Sequence, residues 1–131
     1  MCRNNATFTA WIRRAGVQAA DAGIIWSRSN PSNAGLHFNS GGTGLRYTWE
    51  GSRNGSGMTV PDNTWVFVAL VITPDNAVIR MYDGPQWTAY TRTAAHGLQY
   101  FGGVDATYIG RDPGSSARYF KGAIDDVRIY D

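Results

Sequence analysis

Residues 65–73 read WVFVALVIT, and this stretch limits the folds open to the chain more than any other feature. Its apolar residues fall at consecutive positions, not at every second or every third to fourth one. It is far short of the roughly 20 residues of a membrane span, and a strand reads this way when both of its faces are covered. The stretch is therefore expected to be the central strand of a β-sandwich, with Trp65 and Phe67 as core residues.

The rest of the chain is short strands cut by turn residues. Ala6–Arg14 alternates, with Phe8, Ala10 and Ile12 on one face and Thr7, Thr9, Trp11 and Arg13 on the other. Gly23–Arg28, Gly35–Asn39 and Gly44–Trp49 read as further strands, divided by SNPSNA and SGGT. Trp11 and Trp26 sit mid-strand and are expected to be packed. Glu50–Asn63 reads as a long polar loop, Ala77–Asp83 as the return arm of a hairpin after Thr73-Pro-Asp-Asn, and Trp87–Arg92 as a weaker strand. Thr93–Asp105 is expected to be largely irregular, before Thr107–Arg111 and Tyr119–Tyr130 close the chain. In that last segment the alternation slips at Asp125-Asp126, which predicts a bulge.

Sixteen glycines against one glutamate and one lysine leave little material for helices. About nine strands at regular spacing predict a single all-β domain over residues 1–131, a two-sheet antiparallel sandwich. A chain of this length buries enough surface to hold a core without a disulfide, and the lone Cys2 is expected to be a free thiol. Eleven arginines are scattered from Arg3 to Arg128 for a net charge of +2. Without the basic stripe of a nucleic-acid binder, nucleic acid is not expected as a partner, and no apolar run is long enough for membrane insertion.

FTAWIRR (residues 8–14), GII (23–25), WVFVALVITPDN (65–76), IRMYDG (79–84), YIGRDP (108–113) and YFKGAIDDVRIYD (119–131) resemble laminin-G-like domains of the concanavalin A-like lectin–glucanase superfamily. The terminal segment is the most specific, and the resemblance covers nearly the whole chain. It is strongest to the bacterial branch, accessory modules of large secreted or surface proteins that often also carry carbohydrate-active enzymes. The resemblance thus implies a jelly roll, an extracellular or cell-surface location and a parent multidomain protein. In many members it also implies a calcium site at the sandwich rim, for which Asp125 and Asp126 are the candidate ligands. The family's usual first strand, an acidic FDG-x-x-DYV-like segment, has no counterpart before MCRNNATF. With it go an edge partner and acidic ligands, so no cofactor, and little or no calcium, is expected.

Catalysis is not expected either. Glycosidases need two carboxylates flanking the scissile bond. The only glutamate, Glu50, has Ser52 and Gly55 where acidic partners would stand in an E-x-D-x-x-E strand. Asp125 and Asp126 are adjacent, which in a regular strand points them to opposite faces. No Gly-x-Ser-x-Gly elbow occurs. His37 and His96 lack zinc-site spacing and read as a polar-face and a solvated-loop histidine.

Binding remains. A sugar ring has an apolar face and a polar edge, so its site offers flat aromatics beside hydrogen-bonding side chains. Trp49 closes a strand beside the Glu50–Asn63 loop with Tyr47 two residues before it, and Trp87 stands near a turn with Tyr90 close by. These four are the expected platform, with Arg53, Arg111 and Asp112 as polar partners. The function expected is a non-catalytic carbohydrate-binding module for a polysaccharide or glycan. A protein-interaction or adhesion module and a structural spacer are the alternatives.

Overall fold

The computed structural model describes residues 2–28, 32–100 and 107–131. Its strands are β1 (Cys2–Arg3), β2 (Ala6–Arg14), β3 (Gly23–Arg28), β4 (Asn33–Phe38), β5 (Gly44–Trp49), β6 (Ser52–Thr59), β7 (Val66–Ile72), β8 (Asn76–Tyr82), β9 (Trp87–Thr93), β10 (Gln99–Tyr100), β11 (Thr107–Ile109) and β12 (Gly122–Tyr130). Two five-stranded antiparallel sheets form the sandwich, in the orders β11-β3-β4-β5-β6 and β12-β2-β7-β8-β9, and β1 pairs separately with β10. The all-β jelly-roll architecture is the one the sequence predicts. The expectation for residues 101–105 falls outside the described residues, and that for the Cys2 thiol concerns a side chain that is not described.

The core lies where the two inner faces meet. Phe8, Ala10 and Ile12 of β2, Val66, Val68, Leu70 and Ile72 of β7, and Ala77 and Ile79 of β8 join one cluster with Ile24, Leu36, Phe38 and Leu45 of the other sheet. Each large apolar side chain buried there contributes about 1.5–3 kcal/mol of transfer free energy. Phe120, ahead of β12, stacks on Phe38 with centroids 5.8 Å apart.

β7 is the middle strand of its sheet, as expected, yet its two faces differ. Val66, Val68, Leu70 and Ile72 are buried, whereas Phe67 and Val71 on the outward face are only half-buried. Its unbroken apolar run therefore reflects large side chains standing on the outer surface, not a second covering layer. Trp65, expected in the core, is 41% exposed. The strands covered on both faces are in the other sheet, where Trp26, His37 and Thr48 are buried although they project away from the core cluster. Gly35 makes room there: a Cβ on it would lie 2.2 Å from the Ile25 carbonyl oxygen and 3.0 Å from Trp26 Cε3.

The polar stretch after Trp49 is a strand, not a loop. Trp49 pairs with Ser52 across the two-residue turn Glu50-Gly51, whose φ angles are 50° and 77°. Positive φ at both turn residues is the type I′ pattern, whose twist matches the flanking strands. β6 stands at the sheet edge with most of its residues exposed or half-buried, so polar residues and glycines suffice for it. At the edge of the second sheet, β12 carries the predicted bulge: its register against β2 shifts between Asp125 and Arg128, and Asp126 takes a φ of 47°. Charges and a bulge on an edge strand discourage pairing with a further chain.

Candidate functional site

One row of side chains crosses the outer face of the β12-β2-β7-β8-β9 sheet. In register, Asp125 stands opposite Trp11, Trp11 opposite Phe67, Phe67 opposite Tyr82, and Tyr82 opposite Trp87. Alternate residues of a strand share a face, and the inward neighbours Ile12, Val66, Val68 and Met81 belong to the core, so the row points away from it. The ring centroids of Trp11 and Phe67 are 5.6 Å apart, those of Phe67 and Trp87 5.9 Å, and those of Tyr82 and Trp87 5.0 Å. At the usual strand spacing the aromatic part spans about 14 Å.

The row is accessible. Trp87 is 57% exposed, while Trp11, Phe67 and Tyr82 are half-buried. Beside it, Trp11, Trp65 and Asp125 line an open hollow of about 350 Å³. Two indoles and a carboxylate there offer both an apolar wall and a hydrogen-bond acceptor.

Of the expected platform, only Trp87 stands on this surface. Tyr47 and Trp49 are 0% and 2% exposed, because their parity on β5 turns them into the core. Trp49 Nε1 donates to the Gly97 carbonyl at 2.8 Å, and the Tyr47 hydroxyl lies 3.1 Å from His96 Nε2. Burial pushes the Tyr47 phenol above its usual pKa. His96, expected in solvent, is buried instead: its Nδ1 donates to the Thr73 carbonyl at 3.1 Å, leaving Nε2 to accept the Tyr47 proton. Tyr90 has the opposite parity to Trp87 and packs against the core. A polar slot of about 120 Å³ does lie over Tyr47, Trp49 and His96, with Glu50 and Arg92 at its walls, but it exposes no aromatic face.

Arg53, Arg111 and Asp112 lie with the other sheet, not at the aromatic row. Asp112 is 1% exposed and accepts from Arg28 at 2.8 Å, from Arg118 at 2.6 Å and from the Gly114 N–H at 2.9 Å. Burial pushes its carboxyl pKa up, but these donors together outweigh burial and hold it below the usual value. The Arg111 guanidinium rests on the rings of Tyr108 and Tyr119, 5.2 and 5.1 Å from their centroids. Arg53 stands 3.4 Å from Asp21, on which Arg46 and Arg118 also converge. Arg28, one of the Asp112 partners, also lies over the Trp26 ring, 6.0 Å from its centroid. His37 lies on the face away from the core cluster, as read, but is fully buried there. Its Nδ1 donates to the Phe38 carbonyl at 3.0 Å and its Nε2 accepts from the Thr48 hydroxyl at 2.8 Å.

Asp125 and Asp126, the candidate calcium ligands, are both engaged at the bulge. Calcium takes six to eight oxygens. Asp125 Oδ1 accepts the Asp126 N–H at 2.8 Å, and Asp126 pairs with Arg128 Nε at 2.9 Å. Among the described residues no group of three or more His, Cys, Asp or Glu side chains could hold a metal. The two carboxylates serve the bulge, one by satisfying the backbone donor it frees.

Sequence parity already held the signal for Trp11, which alternates with Thr7, Thr9 and Arg13 on the polar face of β2. Placing Phe67, Tyr82 and Trp87 in one row with it requires the register of four strands, which no local pattern supplies.

The family model described as the concanavalin A-like lectin/glucanases superfamily, of the laminin-G type, matches residues 1–131. The fold is similar to the LG1–3 region of the laminin α2 chain, with a TM-score of 0.70 and 16% identity over 96% of this chain and 27% of that one. It is similar to a Bacteroides ovatus protein named for carbohydrate binding, with a TM-score of 0.73 and 18% identity over 99% of this chain and 38% of that one. It is also similar to domain 4 of AbnA, an extracellular arabinanase of Geobacillus stearothermophilus solved with arabinotriose. There the TM-score is 0.60 and the identity 17%, over 98% of this chain and 61% of that one. The chain thus spans less than two thirds of each of these chains, and at such identities the likeness is one of fold. No curated protein matches it. By its family match and its two-sheet sandwich, the chain belongs to the concanavalin A-like lectin/glucanases superfamily.

Proposed function

We propose that the chain is a non-catalytic carbohydrate-binding module, displayed outside the cell or at its surface as part of a larger protein. The row Trp11–Phe67–Tyr82–Trp87, with Trp65 beside it, is the observation that carries this reading. Large aromatics left partly in water on a sheet face suit a ligand with an apolar face. A run of sugar rings offers such faces, while its hydroxyls find Asp125 at one end of the row and Arg80, beside Tyr82 on β8, near the other. A length of about 14 Å suits a polysaccharide segment better than a single sugar. The likeness to a protein named for carbohydrate binding and to an arabinanase domain solved with arabinotriose supports the reading.

The test is a glycan array on the purified domain, followed by affinity electrophoresis of Trp87→Ala and Trp65→Ala on each polysaccharide retained. Each variant is expected to lose most of its retention while staying folded, with a melting temperature lowered by no more than about 10 °C. Retention unchanged in both variants would remove the aromatic row as the site.

A further inference from the structure

Two arginines, Arg80 and Arg13, put positive charge beside the aromatic row. Arg80 projects from the same face of β8 as Tyr82, two residues before it, so the two side chains are about 7 Å apart along the strand. Its register partners are Ala69 on β7 and Ala89 on β9. With a methyl group on either side, the guanidinium has no tall neighbour across the strands. Arg80 is exposed and makes no ion pair or side-chain hydrogen bond among the described residues.

A second guanidinium lies across the row. Arg13 follows Trp11 by two residues on the same face of β2, and β2 and β8 run parallel through β7 between them. The two arginines therefore flank the row on opposite sides. Arg13 donates from Nε and Nη2 to the neutral amide oxygen of Asn63, at 3.0 and 2.6 Å, so no carboxylate neutralises it there.

The carboxylates near the row are engaged locally and lie away from Arg80. Asp125 stands at the β12 end and accepts the Asp126 N–H, and Asp83 accepts the Gln86 N–H within the β8–β9 turn, on the far side of Tyr82. An anionic group over Tyr82 and Trp87 would meet Arg80 without facing either acid.

We infer that the module binds an acidic polysaccharide, one whose sugars carry carboxylates, with Arg80 pairing a uronate carboxylate while the aromatic row stacks the rings. Guanidinium and carboxylate are matched in geometry for paired hydrogen bonds, which a hydroxyl cannot reproduce. This rests on the carbohydrate-binding reading and narrows it.

The experiment uses pairs of polymers differing only in charge: polygalacturonate, hyaluronan and glucuronoxylan, each beside its carboxyl-reduced form. Wild type, Arg80→Gln and Trp87→Ala are compared by affinity electrophoresis at low and high salt. Wild type is expected to bind one or more acidic polymers about fivefold more tightly than the reduced partner, the effect of one exposed charge pair. That preference should fade with salt and vanish in Arg80→Gln, whereas Trp87→Ala should lose both members of the pair. Equal binding to both members, or binding to neutral glycans alone, overturns the acidic specificity and leaves the carbohydrate-binding reading intact. A preference that survives in Arg80→Gln overturns the role of Arg80. No retention on any polymer here or on the glycan array overturns both.

Discussion

Trp11 and Phe67 stand opposite each other in the β2–β7 register, with ring centroids 5.6 Å apart and planes inclined at 62°. Phe67 meets Trp87 in a similar edge contact at 5.9 Å and 79°. One half-buried phenylalanine thus touches an indole on each side, and both indoles are held at an angle to it. Such edge-to-face pairs contribute about 0.5–1.5 kcal/mol each beyond the area they bury.

Phe67 is therefore a positioning residue for the proposed site. Phe67→Ala should release both indoles and weaken glycan retention several-fold, with a modest stability loss of about 1–2 kcal/mol because the ring is only half-buried. Phe67→Tyr, which preserves the ring, should restore retention. Affinity electrophoresis beside urea unfolding separates the two effects. Full retention in Phe67→Ala would show that the indoles hold their places unaided.

The tryptophans should divide sharply. Trp49 is buried and its indole N–H is bonded to the Gly97 carbonyl, so Trp49→Ala leaves a large cavity and an unpaired carbonyl. A loss of about 3–5 kcal/mol is expected, with glycan binding lost only as the domain unfolds. Trp87→Ala should lose binding with a smaller stability change of about 1–2 kcal/mol, since the indole is largely exposed and gives up only its contacts with Phe67 and Tyr82. Melting curves of the two variants decide it, and a stable Trp49→Ala domain that had lost binding would return Trp49 to the site.

The contrast between Trp49 and Trp11 marks how far sequence alone reaches. Period-two alternation in β2 and the alternation slip at Asp125-Asp126 are local patterns, and both appear in the structure as read. Trp49 reads as a surface residue because a polar stretch follows it, and polar edge strands such as β6 carry the same residues as loops. The Glu50-Gly51 turn lacks the Asn-Gly or Asp-Gly signature that would have marked the hairpin. WVFVALVIT is ambiguous for a related reason. A large apolar side chain on an outer face reads the same whether another layer or a ligand is to cover it. The burial of Asp112 and His37 is illegible for a third reason: the ion pairs around them, Arg28 with Asp112 and Arg46 with Asp21, join residues 84 and 25 positions apart and leave no periodic trace.

Asp112 illustrates the cost of undoing such a set. Its carboxylate is almost wholly inaccessible and holds Arg28, Arg118 and the Gly114 N–H together. Asp112→Asn keeps the size but removes the charge, leaving two guanidiniums close together without their shared anion. A destabilisation of about 2–4 kcal/mol is expected, near the lower end for breaking a buried pair because both arginines retain some solvent. Chemical denaturation measures it. Since Asp112 is remote from the aromatic row, any glycan retained by wild type should be bound equally by folded Asp112→Asn protein, and a selective loss of binding would place Asp112 in the site after all.

His37 supplies a pH dependence whose sign follows from its surroundings. Burial is the largest influence and drives its pKa down, the nearby Asp21 carboxylate pulls the other way, and the balance leaves it lowered from 6.5 to about 4. The unfolded chain takes up this proton near 6.5 and the folded chain only near 4. Between those values unfolding binds a proton, so acid favours the unfolded state. The stabilisation is complete above pH 6.5 and is lost as pH falls towards 4, to a total of about 3 kcal/mol. For a domain of this size that corresponds to a fall in Tm of roughly 10 °C between pH 7 and pH 4.5. His37→Gln keeps a donor for the Phe38 carbonyl and an acceptor for the Thr48 hydroxyl but cannot titrate, so its Tm should decline much less over the same interval. Scanning calorimetry of both proteins across this range isolates the contribution, because every other ionisable group is common to them. Parallel declines would mean that His37 is protonated in the folded protein near its usual pKa, with Asp21 outweighing burial.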